Sequence, residues 1–128
     1  MTPIPLRRRD MEPATDGPAA AVLNALPNPV IMIGANGVIQ EANDAAQNFF
    51  QASAAFMARH SLGYFVPFGS PLLELINQVR ERQAPVSEYR VDVSSPRIGT
   101  EKIVDIYAGP VLDDPGAVVV MLQERTMA

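Results

Sequence analysis

Val22–Phe50, VLNALPNPVIMIGANGVIQEANDAAQNFF, reads as helix, strand, tight turn, strand and helix in one unbroken run. Leu26 closes the first helical pattern. Pro27-Asn28-Pro29 ends it, because each proline disfavours helix at the residue before it. Val30-Ile31-Met32-Ile33 has the length and composition of a strand. Gly34-Ala35-Asn36-Gly37 tolerates positive φ, so the chain reverses there at little cost. An Asn-Gly pair between apolar runs is also a strong hairpin signal. Val38–Ala42 runs back with mixed faces. Asn43 is read as the cap of a helix over Asp44–Phe50 and as nothing more; Ala45, Ala46, Phe49 and Phe50 form that helix's apolar face.

Upstream, residues 1–16 hold Pro3, Pro5, Pro13 and a charge cluster with little apolar periodicity, the pattern of a flexible tail. Residues 17–26 form a short amphipathic helix, with Asp16 or Gly17 as cap and Ala19, Val22, Leu23 and Leu26 on one face. So short a helix is marginal alone, so its stripe must dock, either on its own sheet or on the same helix of a second subunit. Downstream, Ser53–Met57 reads as a brief helix, and Arg59–Phe68 as loop and helical turns packed by Tyr64, Phe65 and Phe68. Ser70-Pro71 opens the longest helix, with Leu72, Leu75, Ile76 and Val79 at helical spacing and Pro85 as its stop. Val86–Val93 alternates, placing Tyr89, Val91 and Val93 on one face and Glu88, Arg90 and Asp92 on the other. Glu101–Gly109 places Val104, Ile106 and Ala108 together. Ala117–Leu122 is almost wholly apolar and is expected at the centre of the sheet. The class is α+β, a five-stranded antiparallel sheet with helices on one face and a flanking N-terminal helix.

At 128 residues, the chain fits one domain plus tails and is long enough to bury a core without staples. It has 0 Cys, which removes thiol nucleophiles, thiol–flavin photochemistry and Cys-based zinc sites. Net charge is -4; three Arg and one Asp set residues 1–10 at +2, leaving -6 for the rest. That acidic body argues against nucleic acid as a partner. No apolar stretch approaches the ~20 residues of a membrane helix. His60 stands alone, with no partner for a triad or a multi-His metal site, and reads as an exposed loop histidine. Glycines form no phosphate cradle. Glu74, Glu81, Glu88, Asp92, Asp105 and Glu124 are scattered, with nothing to select an acid/base couple, and read as solvated. No catalytic residue, metal ligand or cofactor is assigned.

LPNPVIMIGANGVIQEANDAA resembles the opening of a PAS domain. PFGSPLLELINQVRERQAPVSEYRVDV and the closing LQERTMA are similar, more specifically, to the amino-terminal sensor region of nitrogen-regulation histidine kinases of the NtrB type. The resemblance covers residues 19–128 and implies several things. The chain is a cytoplasmic sensory module, residues 17–125, with residues 126–128 starting the connection to kinase domains that it lacks. It is a homodimer paired through Ala19, Val22, Leu23 and Leu26. Its signal leaves through Gln123, Glu124, Arg125 and Thr126. In the whole protein, a response regulator and a PII-type signal protein are the partners. PAS cavities differ in size; if this one is open, Met32, Phe49, Phe65, Leu75, Tyr89 and Ile106 are candidates for its wall. A small-ligand or cofactor sensor from another bacterial regulator is the alternative.

Overall fold

The computed structural model describes residues 18–66 and 69–125, with side chains from Ala20 onward. The expected tail, the caps at Asp16 and Gly17, and Phe68 and Thr126 lie outside these residues, as does the side chain of Ala19. The elements run α1 (Pro18–Ala25), β1 (Val30–Ile33), β2 (Ile39–Ala42), α2 (Asp44–Phe50), α3 (Ala54–Met57), a 3-10 turn (Leu62–Tyr64), α4 (Pro71–Arg82), β3 (Val86–Asp92), β4 (Ile103–Pro110) and β5 (Val118–Glu124). The five strands form one antiparallel sheet in the order β2-β1-β5-β4-β3. The apolar run at β5 does take the middle, hydrogen-bonded to β1 and β4 on either side.

Local chemistry sets the ends of the elements. Gly37 takes φ 85° in the β1–β2 turn, and the Asn36 Oδ1 accepts from the Val38 N–H at 3.0 Å. The Ser70 hydroxyl accepts from the Leu72 N–H, and Pro71 occupies the first turn of α4. Leu72, Leu75, Ile76 and Val79 are buried as their spacing requires. The helix ends when Gln83 turns left-handed and donates its N–H to the Val79 carbonyl at 2.8 Å.

Strand alternation gives the sheet two unlike faces. Ile31, Ile33, Val104, Ile106, Ala108, Val118, Val120 and Leu122 point inward and join Phe50, Met57, Phe65 and the buried row of α4 in one core. Met32, Tyr107, Val119 and Met121 point to the other face. Arg80 clamps the far end of the sheet. Its Nε donates to the Gly116 carbonyl and its Nη2 to the Gly34 carbonyl, each at 2.9 Å, so one guanidinium holds the β1–β2 and β4–β5 turns to α4. The turns touch so closely that a Cβ on Gly116 would lie 2.6 Å from the Ala35 Cβ.

The clean alternation expected along Val86–Val93 is interrupted. Glu88 pairs with Ile106 but Val91 pairs with Val104, so β3 holds one residue more than β4 between those rungs. This is a bulge, with Arg90 left-handed at φ 58°. The extra residue reverses the parity. Val91 and Val93 point into the core, whereas Tyr89 faces outward, 61% exposed, with its ring edge-on to Tyr107.

Candidate functional site

Near each end of the described chain, one buried polar side chain gathers hydrogen bonds from distant segments. At the entrance it is Asn43, 2% exposed. Its Oδ1 accepts from the Ala46 N–H at 2.9 Å, as a cap should, and from the Val30 N–H at 2.9 Å. Its Nδ2 donates to the Leu23 carbonyl at 2.8 Å and the Asn28 carbonyl at 3.0 Å. All four hydrogen bonds open to an amide are made. The expectation of a simple cap is therefore too narrow: Asn43 ties α1, the loop after it, β1 and α2 together. Beside it the Asn24 Oδ1 accepts from the Asp44 N–H at 2.9 Å.

Of the proposed α1 stripe, Leu23 is half-buried and Val22 and Leu26 are 63% and 40% exposed. Ala20, which the sequence stripe omits, is the buried residue among the described side chains of α1. Helix α1 is tied to its own domain through the Leu23 carbonyl and Asn24, leaving Val22 and Leu26 exposed.

At the exit the polar residue is Asp105, 6% exposed, where a solvated strand position was expected. Its Oδ1 accepts from the bulge N–H of Arg90 at 3.0 Å, and its Oδ2 from the Arg125 Nη1 at 2.6 Å. The Arg125 N–H donates to the Ile103 carbonyl at 2.9 Å, and Lys102 pairs with Glu124 at 3.3 Å. Gln123, Glu124 and Arg125 line an open cleft of about 200 Å³ with Asp105. The sequence expectation names Gln123, Glu124, Arg125 and Thr126 at this end and leaves Asp105 among the solvated strand positions. Nothing local marks it, since its two partners lie 15 and 20 residues away.

The six candidate wall residues do not meet in one place. Phe49, Phe65, Leu75 and Ile106 are buried together in the core. There Phe50 fills the space between rings, edge-on to Phe49 at 5.1 Å and to Phe65 at 5.9 Å. Met32 lies half-buried on the opposite face of the sheet because Ile31 and Ile33 take the inward positions of β1. Tyr89 is on that opposite face for the reason given by the bulge. The alternation of β1 already carried the signal that excludes Met32.

His60 is not the exposed loop residue expected. It is half-buried and packs against the rings of Phe56 and Tyr64, at centroid distances of 4.4 and 4.2 Å. Its Nδ1 lies 2.9 Å from the Phe56 carbonyl, which can only accept, so the Nδ1 carries the proton. Arg97 reaches across from the β3–β4 loop to within 5.4–5.6 Å of the Phe56, Tyr64 and Phe65 ring centres. It also donates to the Gln51 carbonyl, so cation–π attraction pins that loop to the helical segment.

Glu41 faces outward beside Met32, and burial there raises its carboxyl above the ordinary 4.5. A raised folded-state value favours the folded protein at low pH, and the advantage is lost as pH rises through that value. Glu41→Gln is therefore expected to raise the melting temperature at pH 7 by about 1–2 °C, the small figure reflecting a half-exposed group. Well below 4.5 the two proteins should melt together. Equal melting at both pH values would show that Glu41 is not penalised.

Among the described residues no helix is long and apolar enough to cross a membrane. The chain is 60% identical over 108 residues to the sensory histidine kinase/phosphatase NtrB of Rhizobium meliloti, covering 84% of this chain and 28% of that protein. It is 36% identical over 122 residues to NtrB of Azospirillum brasilense, covering 94% of this chain and 29% of that one. The chain thus spans under a third of the length of these curated relatives. The PAS domain of nitrogen regulation protein NR(II) from Vibrio parahaemolyticus superposes with a TM-score of 0.73 at 18% identity, covering 86% of this chain and 100% of that one. The family model for the PAS fold matches residues 19–125, which takes in all five strands and every helix of the core, and on that match the chain belongs to the PAS family.

Proposed function

We propose that this chain is the sensory and dimerising module of a cytoplasmic nitrogen-regulation histidine kinase, and that its output is mechanical. The observation that carries the reading is the 60% identity to a histidine kinase/phosphatase over nearly the whole described fold. The module is residues 17–125, residues 1–16 are a tail, and residues 126–128 begin the connection onward. ATP chemistry belongs to domains outside residues 1–128. The whole protein phosphorylates a response regulator and answers to a PII-type signal protein. Two modules pair through α1 and the residue after it, where the apolar Val22 and Leu26 are exposed in the single chain. Rearrangement of that pair biases two states of the kinase region through residues 123–126.

The direct test is a chimera in which this chain replaces the matching segment of the Rhizobium meliloti protein. It is expected to autophosphorylate from ATP, with a kinase-to-phosphatase ratio that changes when the module is deleted. The same ratio with and without the module would end this reading. For the pairing, Val22→Glu with Leu26→Glu should convert a sedimenting dimer of this chain to monomer. A dimer unmoved by both changes removes α1 from the interface.

A further inference from the structure

We propose that Asp105 is the positioning residue of the signal exit, a joint that couples the β3 bulge to the direction in which the chain leaves β5. The inference rests on the mechanical reading above and adds a residue to it. Asp105 sits on β4, between the edge strand β3 and the central strand β5. Its carboxylate lies on the sheet face away from the helices, as its rung with Gln123 requires, yet is only 6% exposed. One oxygen holds the left-handed Arg90 by its N–H, and the other holds Arg125, the residue that follows β5. A carboxylate is flat and its oxygens move together, so turning it toward one partner turns it from the other. Arg125 is 38% exposed on its side chain and is the adjustable arm; Asp105, at 8%, is the fixed one.

Among the described residues no other charged pair does this. Lys102–Glu124 ties the same two strands, but both side chains are one-third or more exposed and neither reaches β3. Such an exposed pair is weakly constraining. The Asp105 pair is held on one side by packing and on the other by a charge-assisted bond, which is the stronger kind. Movement of β3 at its bulge therefore has a route to residue 125 that bypasses the backbone of the β4–β5 turn.

The test uses Asp105→Asn, Arg125→Gln, their double variant and Arg125→Lys, both in this chain and in the chimera. Asn at 105 still accepts the Arg90 N–H but no longer binds the guanidinium as an anion, so both single changes loosen the exit arm and spare the bulge. In this chain, the Arg125 amide should exchange faster in both single variants while the Arg90 amide stays protected. In the chimera, each should change the kinase-to-phosphatase ratio about 5-fold or more. The double variant should do no more than either alone, and Arg125→Lys should restore most of the parent ratio. Additive effects, or a ratio unmoved by both single variants in a chimera that does respond to module deletion, would overturn the joint. If deletion itself leaves the ratio unchanged while Arg125 exchange still accelerates, the mechanical reading fails. The joint then fails with it as a signalling element and stands only as a structural tie.

Discussion

Asn43→Ala is expected to cost about 3–5 kcal/mol of folding stability, seen as a large fall in the urea midpoint. The substitution removes the acceptor of two buried N–H groups, Val30 and Ala46, and the donors to the Leu23 and Asn28 carbonyls. Each buried donor left unsatisfied costs about 1–3 kcal/mol; the carbonyls, with two lone pairs each, cost less. Asn43→Asp separates the hub from a plain cap. Asp and Asn are equivalent N-caps, so a residue that only capped α2 would tolerate the change. The hub would not. The Oδ1 contacts survive, but a carboxylate then faces two carbonyls, and α1 loses its tie at Leu23. A loss of about 2 kcal/mol is expected, with amide exchange accelerated in α1 while α4 stays protected. A neutral Asn43→Asp would reduce Asn43 to a cap.

Phe50→Ala is expected to cost about 3–5 kcal/mol, a large part of the 5–15 kcal/mol that a domain of this size commonly has. Phe50 is 0% exposed and stands between Phe49 and Phe65, so its removal opens a void among rings that cannot collapse without leaving their rotamers. Phe56→Ala is the comparison. That ring is half-buried and packs against the core from outside, under Arg97. Its loss should cost about half as much and should free the β3–β4 loop to faster exchange around Arg97. Equal losses at 50 and 56 in urea melts would mean that Phe50 does not centre the core.

Asn43 and Asp105 owe their burial to partners that are distant in sequence. Both are polar residues between apolar ones, and both looked ordinary: one a cap, the other a solvated strand position. A cap is a contact over three residues, so one of the four Asn43 hydrogen bonds is legible in Asn43-Asp44-Ala45-Ala46. The other three reach Val30, Asn28 and Leu23, up to 20 residues away. Asp105 has no local half at all. His60 shows the same limit in an aromatic setting, because Tyr64 and Phe56 were both seen but not their stacking against it.

The residue order alone settled whatever acts over a turn or a strand length. The α1–β1 break at Pro27-Asn28-Pro29, the β1–β2 turn, the N-cap and buried row of α4, the inward row of β4, and the central place of β5 follow from φ restrictions, capping and period. The folded molecule decided three things: which way Tyr89 points, that Asp105 is buried, and that one amide joins four segments. The physical reason is common to all three. A one-residue bulge in β3 changes the parity of a strand only relative to its neighbour β4. A polar side chain is buried at tolerable cost only when partners from distant parts of the chain arrive to satisfy it.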